Sequence, residues 1–139
     1  MKEAYVKFET AQLLKEKGFD WSCISYWCEF PNGDIVHTDV GVSANHNGQE
    51  TNKFTSRPTQ HMAMRWLREE HKMFISIGVG TDIDDVFGYM PEIYFLEALD
   101  IDVGMYGPNV DAETICDFTP QSPEDAIEAA LKFALTNLI

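Results

Sequence analysis

Between Pro58 and Val79 the chain reads PTQHMAMRWLREEHKMFISIGV, and its hydrophobic period changes there from that of a helix to that of a strand within about two residues. Thr59 is placed to cap a helix, accepting from an orphan backbone N–H, with Pro58 just outside where no donor is needed. Met62, Ala63, Trp66 and Leu67 fall on one face, anchored by the large apolar area of the indole, while Arg65, Arg68, Glu69 and Lys72 fall mainly elsewhere. Met73, Ile75, Ile77 and Val79 then alternate with Phe74, Ser76 and Gly78, which is period two. A helix feeding a strand this abruptly must fold back onto sheet, so the chain is expected to be α+β.

The flanking segments extend that expectation. Residues 4–7 read as a short extended piece, and Thr10 to Lys17 as a helix whose start reaches back as far as Phe8. Gly18 and Phe19 fit a Schellman ending, with glycine in the left-handed position and an apolar residue after it. Ile24 to Phe30 reads as a strand, Pro31-Asn32-Gly33-Asp34 as a turn, and Ile35 to Val42 as the returning strand. A two-residue loop pairs Phe30 with Ile35. Pairing Phe30 with Val36 and Tyr26 with Val40 instead gathers the apolar side chains on one face, and is the register expected. It leaves Trp27, Glu29, His37 and Asp39 together on the other face.

Ser43 to Ser56 is polar and reads as loop, with a weak strand around Thr51 to Thr55. Gly80 to Pro91 reads as an acidic connection, Glu92 to Ala98 as a strand that reaches toward Val103, and 104–109 as loop. Glu113 to Phe118 reads as a last strand. Ser122, Pro123, Glu124 and Asp125 open a final helix, whose inward stripe is Ala126, Ile127, Ala130, Leu131, Ala134, Leu135 and Leu138. The expected order is α-β-β-α-β-β-β-α: an antiparallel or mixed sheet of about five strands with three helices mainly on one face, in a single domain over 1–139.

Charge then narrows the function. Ten Lys and Arg stand against 23 Asp and Glu, for a net charge of −13. Such a surface repels phosphate backbones and anionic membranes, so direct nucleic-acid binding is not expected. Cys23, Cys28 and Cys116 show no zinc-like spacing and fit reduced thiols. No signal sequence and no apolar run of about 18 residues is present, so a cytoplasmic protein without a membrane span is expected.

Few residues offer chemistry. Glu29, His37 and Asp39 beside Trp27 suit a carboxylate-oriented imidazole or a weak metal site, against the alternative of a solvated sheet face. Asp82, Asp84 and Asp85 resemble a calcium loop, but counting from Asp82 puts Phe87 at position six and Ile93 at position twelve, where glycine and a carboxylate are needed. His61 and His71 lie about 15 Å apart along their helix and cannot share a metal. Cys23 and Cys28 point to opposite faces of one strand. No nucleotide-binding or nucleophile motif is present, and no catalytic residue, cofactor or metal is expected. Trp21, Trp27 and Tyr106 are assigned either to the core or to an apolar interface, which leaves the oligomeric state open.

The segments TAQLLKEKGFDW, PTQHMAMRWLREEHK and EDAIEAALKFALTNLI, in this order, resemble a family of short, acidic, uncharacterised proteins of gut anaerobic bacteria and their integrated phages. Matching stretches there run LLKEKGFDW, PTxxxAxxWLRExH and EDAxEAAL around a variable middle, and they cover roughly a third of this chain. The resemblance implies a mobile-element origin and carries no catalytic residue. Together with the charge it leads to two expectations. One is a noncatalytic interaction module docking on a basic protein partner, with DNA mimicry as one form. The other is a small enzyme, or a ligand- or metal-binding protein, using Trp27, Glu29, His37 and Asp39.

Overall fold

A computed structural model describes residues 3–48, 53–96 and 109–139. It is α+β, and its contacts gather into two compact units, Met1–Ala63 and Met64–Ile139.

In the N-terminal unit, α1 (Phe8–Glu16) ends as its sequence requires. Gly18 takes φ +93°, and the N–H groups of Phe19 and Gly18 donate to Leu14 O at 2.9 Å and Lys15 O at 3.2 Å, which is the Schellman pattern. Phe19 is buried beyond it. The extended residues before α1 pair with the approach to the next helix, Val6 N–H donating to Pro58 O and Gln60 N–H to Ala4 O. β1 (Cys23–Glu29), β2 (Ile35–Ala44) and β3 (Phe54–Ser56) form an antiparallel sheet in the order β2-β1-β3. Of the polar stretch 43–56, β3 is the strand expected, shifted to its C-terminal end. Residues 49–52 lie outside the described residues, and His46–Gly48 is a short 3-10 turn.

The hairpin register differs from the one expected. Cys28 pairs with Val36, Trp27 with His37 and Ser25 with Asp39. The loop is the three residues Pro31–Gly33, closed by Phe30 N–H to Asp34 O and Gly33 N–H to Phe30 O, both 2.9 Å. Gly33 sits at φ +91°, the left-handed position that a three-residue hairpin loop demands, so turn geometry moves the register two residues from the one expected and leaves the same side chains on each face. The covered face is also the opposite one. Cys23, Ser25 and Thr55 are buried, and Phe8 of α1 meets the Trp27 ring. Ile24, Phe30 and Val36, on the apolar face, are 51%, 46% and 43% exposed.

α2 (Gln60–His71) is capped as expected, Met62 N–H donating to Thr59 Oγ1 at 3.1 Å. It ends at Lys72, whose φ is +56°, and β4 (Met73–Thr81) begins at the next residue.

In the C-terminal unit β4 pairs in one continuous antiparallel ladder with β5 (Phe87–Phe95), as a separate two-stranded sheet. Among the described residues the expected single sheet of about five strands is therefore two sheets. β5's outer edge is occupied by chain that is not strand: Tyr89 N–H donates to Pro120 O, and Ile93 bridges Val110. The stretch from Gly80 to Pro91 is hairpin rather than connection. The Asp82 carboxylate accepts the N–H groups of Asp84 (2.8 Å) and Val86 (3.0 Å), and this side-chain turn joins two strands longer than their polar composition implies.

The expected strand at Glu113–Phe118 is replaced by a short helix, α3 (Ala112–Ile115). Asp111 caps it, accepting from Thr114 N–H and hydroxyl, and this local bond overrides the strand preference of Thr114 and Ile115. α4 (Pro123–Asn137) follows, capped by Ser122 accepting from Asp125 N–H at 3.1 Å. Ala126, Ile127, Ala130, Leu131, Ala134 and Leu135 are buried, as their spacing requires, and α4 packs on β4 and β5. The expected strand end beyond Leu96, the loop at 104–108 and Tyr106 lie outside the described residues. No helix among the described residues is long and apolar enough to cross a membrane.

Candidate functional site

Trp27, His37 and Asp39 do meet on one face of the N-terminal sheet. His37 stands directly across β1–β2 from Trp27, their rings edge-to-face at 5.4 Å. Asp39 lies one pair further along the same face, and Glu29 one pair the other way, opposite Ile35 and exposed. Phe8 also meets the indole edge-to-face at 5.9 Å.

The centre of this face is a residue that sequence reasoning passed over. Arg57 follows β3 and runs beside Ser25, its N–H donating to Ser25 O at 2.9 Å. Its guanidinium carbon stacks over the Tyr5 ring at 4.1 Å and over the Trp27 ring at 5.1 Å. Nη1 donates to Ser25 Oγ at 3.1 Å and lies 3.6 Å from the Asp39 carboxylate. Burial pulls the guanidinium below its ordinary pKa, while Asp39 and Tyr5 oppose that shift. Arg57 Nε and Trp27 Nε1 are both enclosed and have no hydrogen-bond partner among the described residues. The available signal was weak: one arginine in the polar run TSRP, inside a segment that reads as loop.

These contacts limit the chemistry. Asp39 turns to Arg57, and the contact made by His37 is with an aromatic edge, so the carboxylate does not orient the imidazole as a base. Among the described residues no three His, Cys, Asp or Glu side chains are grouped to hold a metal ion. The face holds its cation against the Tyr5 and Trp27 rings, and its two N–H groups without a partner among the described residues are enclosed rather than presented to a ligand.

A second feature lies wholly in the C-terminal unit. A cavity of about 490 Å³ is lined by Tyr89, Met90, Pro91 and Phe118, with Asp82, Asp84, Glu113 and Asp117 among its acidic lining residues. Its size falls within the range of ligand pockets. Asp82 is held below the usual carboxylate pKa by the Thr119 hydroxyl first, then by the Val86 and Asp84 N–H groups, and so stays an anion. Burial, aided by the Asp117 charge, pushes the Cys116 thiol up, which keeps it protonated and a poor nucleophile. Cys23 is likewise pushed up to about 11 by burial. All three cysteines are free.

Comparison with protein-family models, with curated proteins and with solved structures finds no match to this chain.

Proposed function

We propose that this protein is a noncatalytic interaction module that docks on a basic protein partner through its C-terminal unit. The observation that carries the reading is an asymmetry of charge. Residues 1–63 hold eight acidic and six basic side chains, a net of −2, whereas residues 64–139 hold fifteen acidic and four basic, a net of −11. Charge spread evenly for solubility would not divide in this way. A one-signed surface raises the encounter rate with an oppositely charged partner and rejects partners of like charge.

Exposed carboxylates at Asp84, Glu113 and Asp117 line the cavity together with Tyr89, Met90, Pro91 and Phe118, and exposed Asp85 follows Asp84 in the chain. That combination fits a lysine or arginine side chain, with carboxylates for the charge and rings for the stem. Partners of this kind include nucleic-acid-binding proteins, for which the acidic unit would act as a DNA mimic.

The test is capture from a lysate of the source cells on immobilised protein at about 50 mM and about 300 mM salt, where the Debye length shortens by more than half. The same capture is run with a variant neutralised at the four carboxylates (Asp84→Asn, Asp85→Asn, Glu113→Gln, Asp117→Asn). A partner held at low salt, released at high salt and lost with the variant supports the reading. Its displacement by duplex DNA identifies the mimic form. A partner that ignores both salt and neutralisation, or no partner at all, rejects it.

A further inference from the structure

The β2 strand is an edge without the usual protection. It has β1 on one side and, among the described residues, no strand on the other, and Ile35 through Asp39 are all exposed. Its ten residues contain no lysine and no proline, and its pairing irregularity is confined to the far end, beyond Asp39. Natural sheets normally blunt such an edge.

The direction of its free backbone groups follows from the hairpin. Phe30 bonds Asp34 across β1–β2, whereas Glu29 N–H and Ser25 O bond across to β3 at Lys53 and Arg57. Even-numbered residues of β1 and β2 therefore exchange bonds with one another. Ile35, His37 and Asp39 turn their N–H and C=O groups outward.

An antiparallel copy must match outward groups with outward groups, so only pairings of odd residues with odd residues are allowed. A two-fold axis at His37 sets the two imidazoles opposite each other and Ile35 opposite Asp39. One at Asp39 sets two carboxylates opposite each other, which is repulsive. An axis at Thr38 sets His37 opposite the partner's Asp39, twice by symmetry, with Thr38 opposite the partner's Thr38 and Val36 opposite the partner's Val40. Only this register sets an imidazole opposite a carboxylate and pairs the remaining side chains with others of their own type.

We propose that β2 is a self-pairing edge and that two copies of the chain join antiparallel about a two-fold axis through Thr38, with His37 facing the partner's Asp39. The central pairs contribute four backbone hydrogen bonds and two imidazole–carboxylate contacts. The contact is short, so the dimer is reversible in the micromolar range rather than obligate. It forms in purified protein and does not depend on any basic partner.

Sedimentation equilibrium across micromolar concentrations tests it. The expected result is a concentration-dependent rise from 15.8 kDa toward twice that mass. His37→Asp places four carboxylates at the seam and should weaken the dimer at least tenfold. Adding Asp39→His to that variant restores opposite partners across the same pairs, and dimerisation should return. Circular dichroism checks that both variants keep their secondary structure, and the double variant keeps the test decisive if the single one is poorly folded. A chain that stays monomeric at high micromolar concentration overturns the proposal. So does a dimer that His37→Asp leaves unchanged, or one that the double exchange fails to restore.

Discussion

Replacing Arg57 tests whether the stacked guanidinium organises the N-terminal sheet. Arg57→Ala removes a charge-assisted bond to Ser25 at 3.1 Å, worth about 1.5–3 kcal/mol. It also removes two ring stacks at 4.1 and 5.1 Å, each about 0.5–2 kcal/mol. The 3.6 Å pair with Asp39, whose side chain is 65% exposed, adds about 0–1 kcal/mol. Opposing these is the relief of no longer enclosing a cation whose Nε has no hydrogen-bond partner among the described residues. These contributions share one group and do not add fully, so a net loss of about 3 kcal/mol is expected.

Arg57→Met should cost only about 1 kcal/mol, because the apolar stem still fills the space between Tyr5 and Trp27 and no charge is enclosed. Arg57→Lys should fall between the two, since an ammonium cannot lie flat on both rings. Urea unfolding followed by tryptophan fluorescence reads these values directly. With an m-value of about 1.5 kcal/mol/M, the alanine variant moves the midpoint by about 2 M. An alanine variant within about 0.5 kcal/mol of wild type, the range of ordinary surface substitutions, would refute the assignment. A methionine variant as unstable as alanine would show that charge rather than packing decides the face.

Two further outcomes follow from the C-terminal unit. At Gly88 an added Cβ would lie 2.5 Å from Pro120 O and 2.5 Å from Thr119 Cγ2, so Gly88→Ala should lower the denaturation midpoint by the equivalent of about 1–3 kcal/mol, measured against Gly78→Ala, where the nearest atom is 3.9 Å away. Asp82 has a lowered folded pKa, so its contribution is complete above the unfolded value of 3.8 and is lost as pH falls through the lower folded value; Thr119→Val should therefore destabilise at neutral pH, by an amount that shrinks below about pH 4. Urea midpoints from pH 7 down to pH 2.5 check this, and a gap that does not change with pH would mean that the Thr119 hydroxyl does not act on the carboxylate.

What could be read from the sequence was local. The caps at Thr59 and Ser122, the Schellman ending at Gly18 and Phe19, the buried stripe of α4 and the abrupt passage from α2 to β4 all depend on groups within a few residues of one another. Such bonds form in nearly the same way wherever the segment sits. The parity that gathers Trp27, His37 and Asp39 was legible for the same reason, since alternation along a strand survives a shift of two residues in register.

Errors arose where a local preference met a competing bond. Asp111 capped a helix in place of a strand, Asp82 turned an acidic stretch into a hairpin, and Gly33 closed a three-residue loop that moves the pairing two residues from the expected register. The sequence by itself determined the α+β class, most of the helices and the uneven charge. Only tertiary structure decided that the strands divide into two sheets, that α1 meets β1 on the face of Ser25 and Trp27, and that Arg57 stacks on Tyr5 and Trp27. Those outcomes depend on which distant segments meet, with 52 positions separating Tyr5 from Arg57, and no local periodicity encodes a contact of that kind.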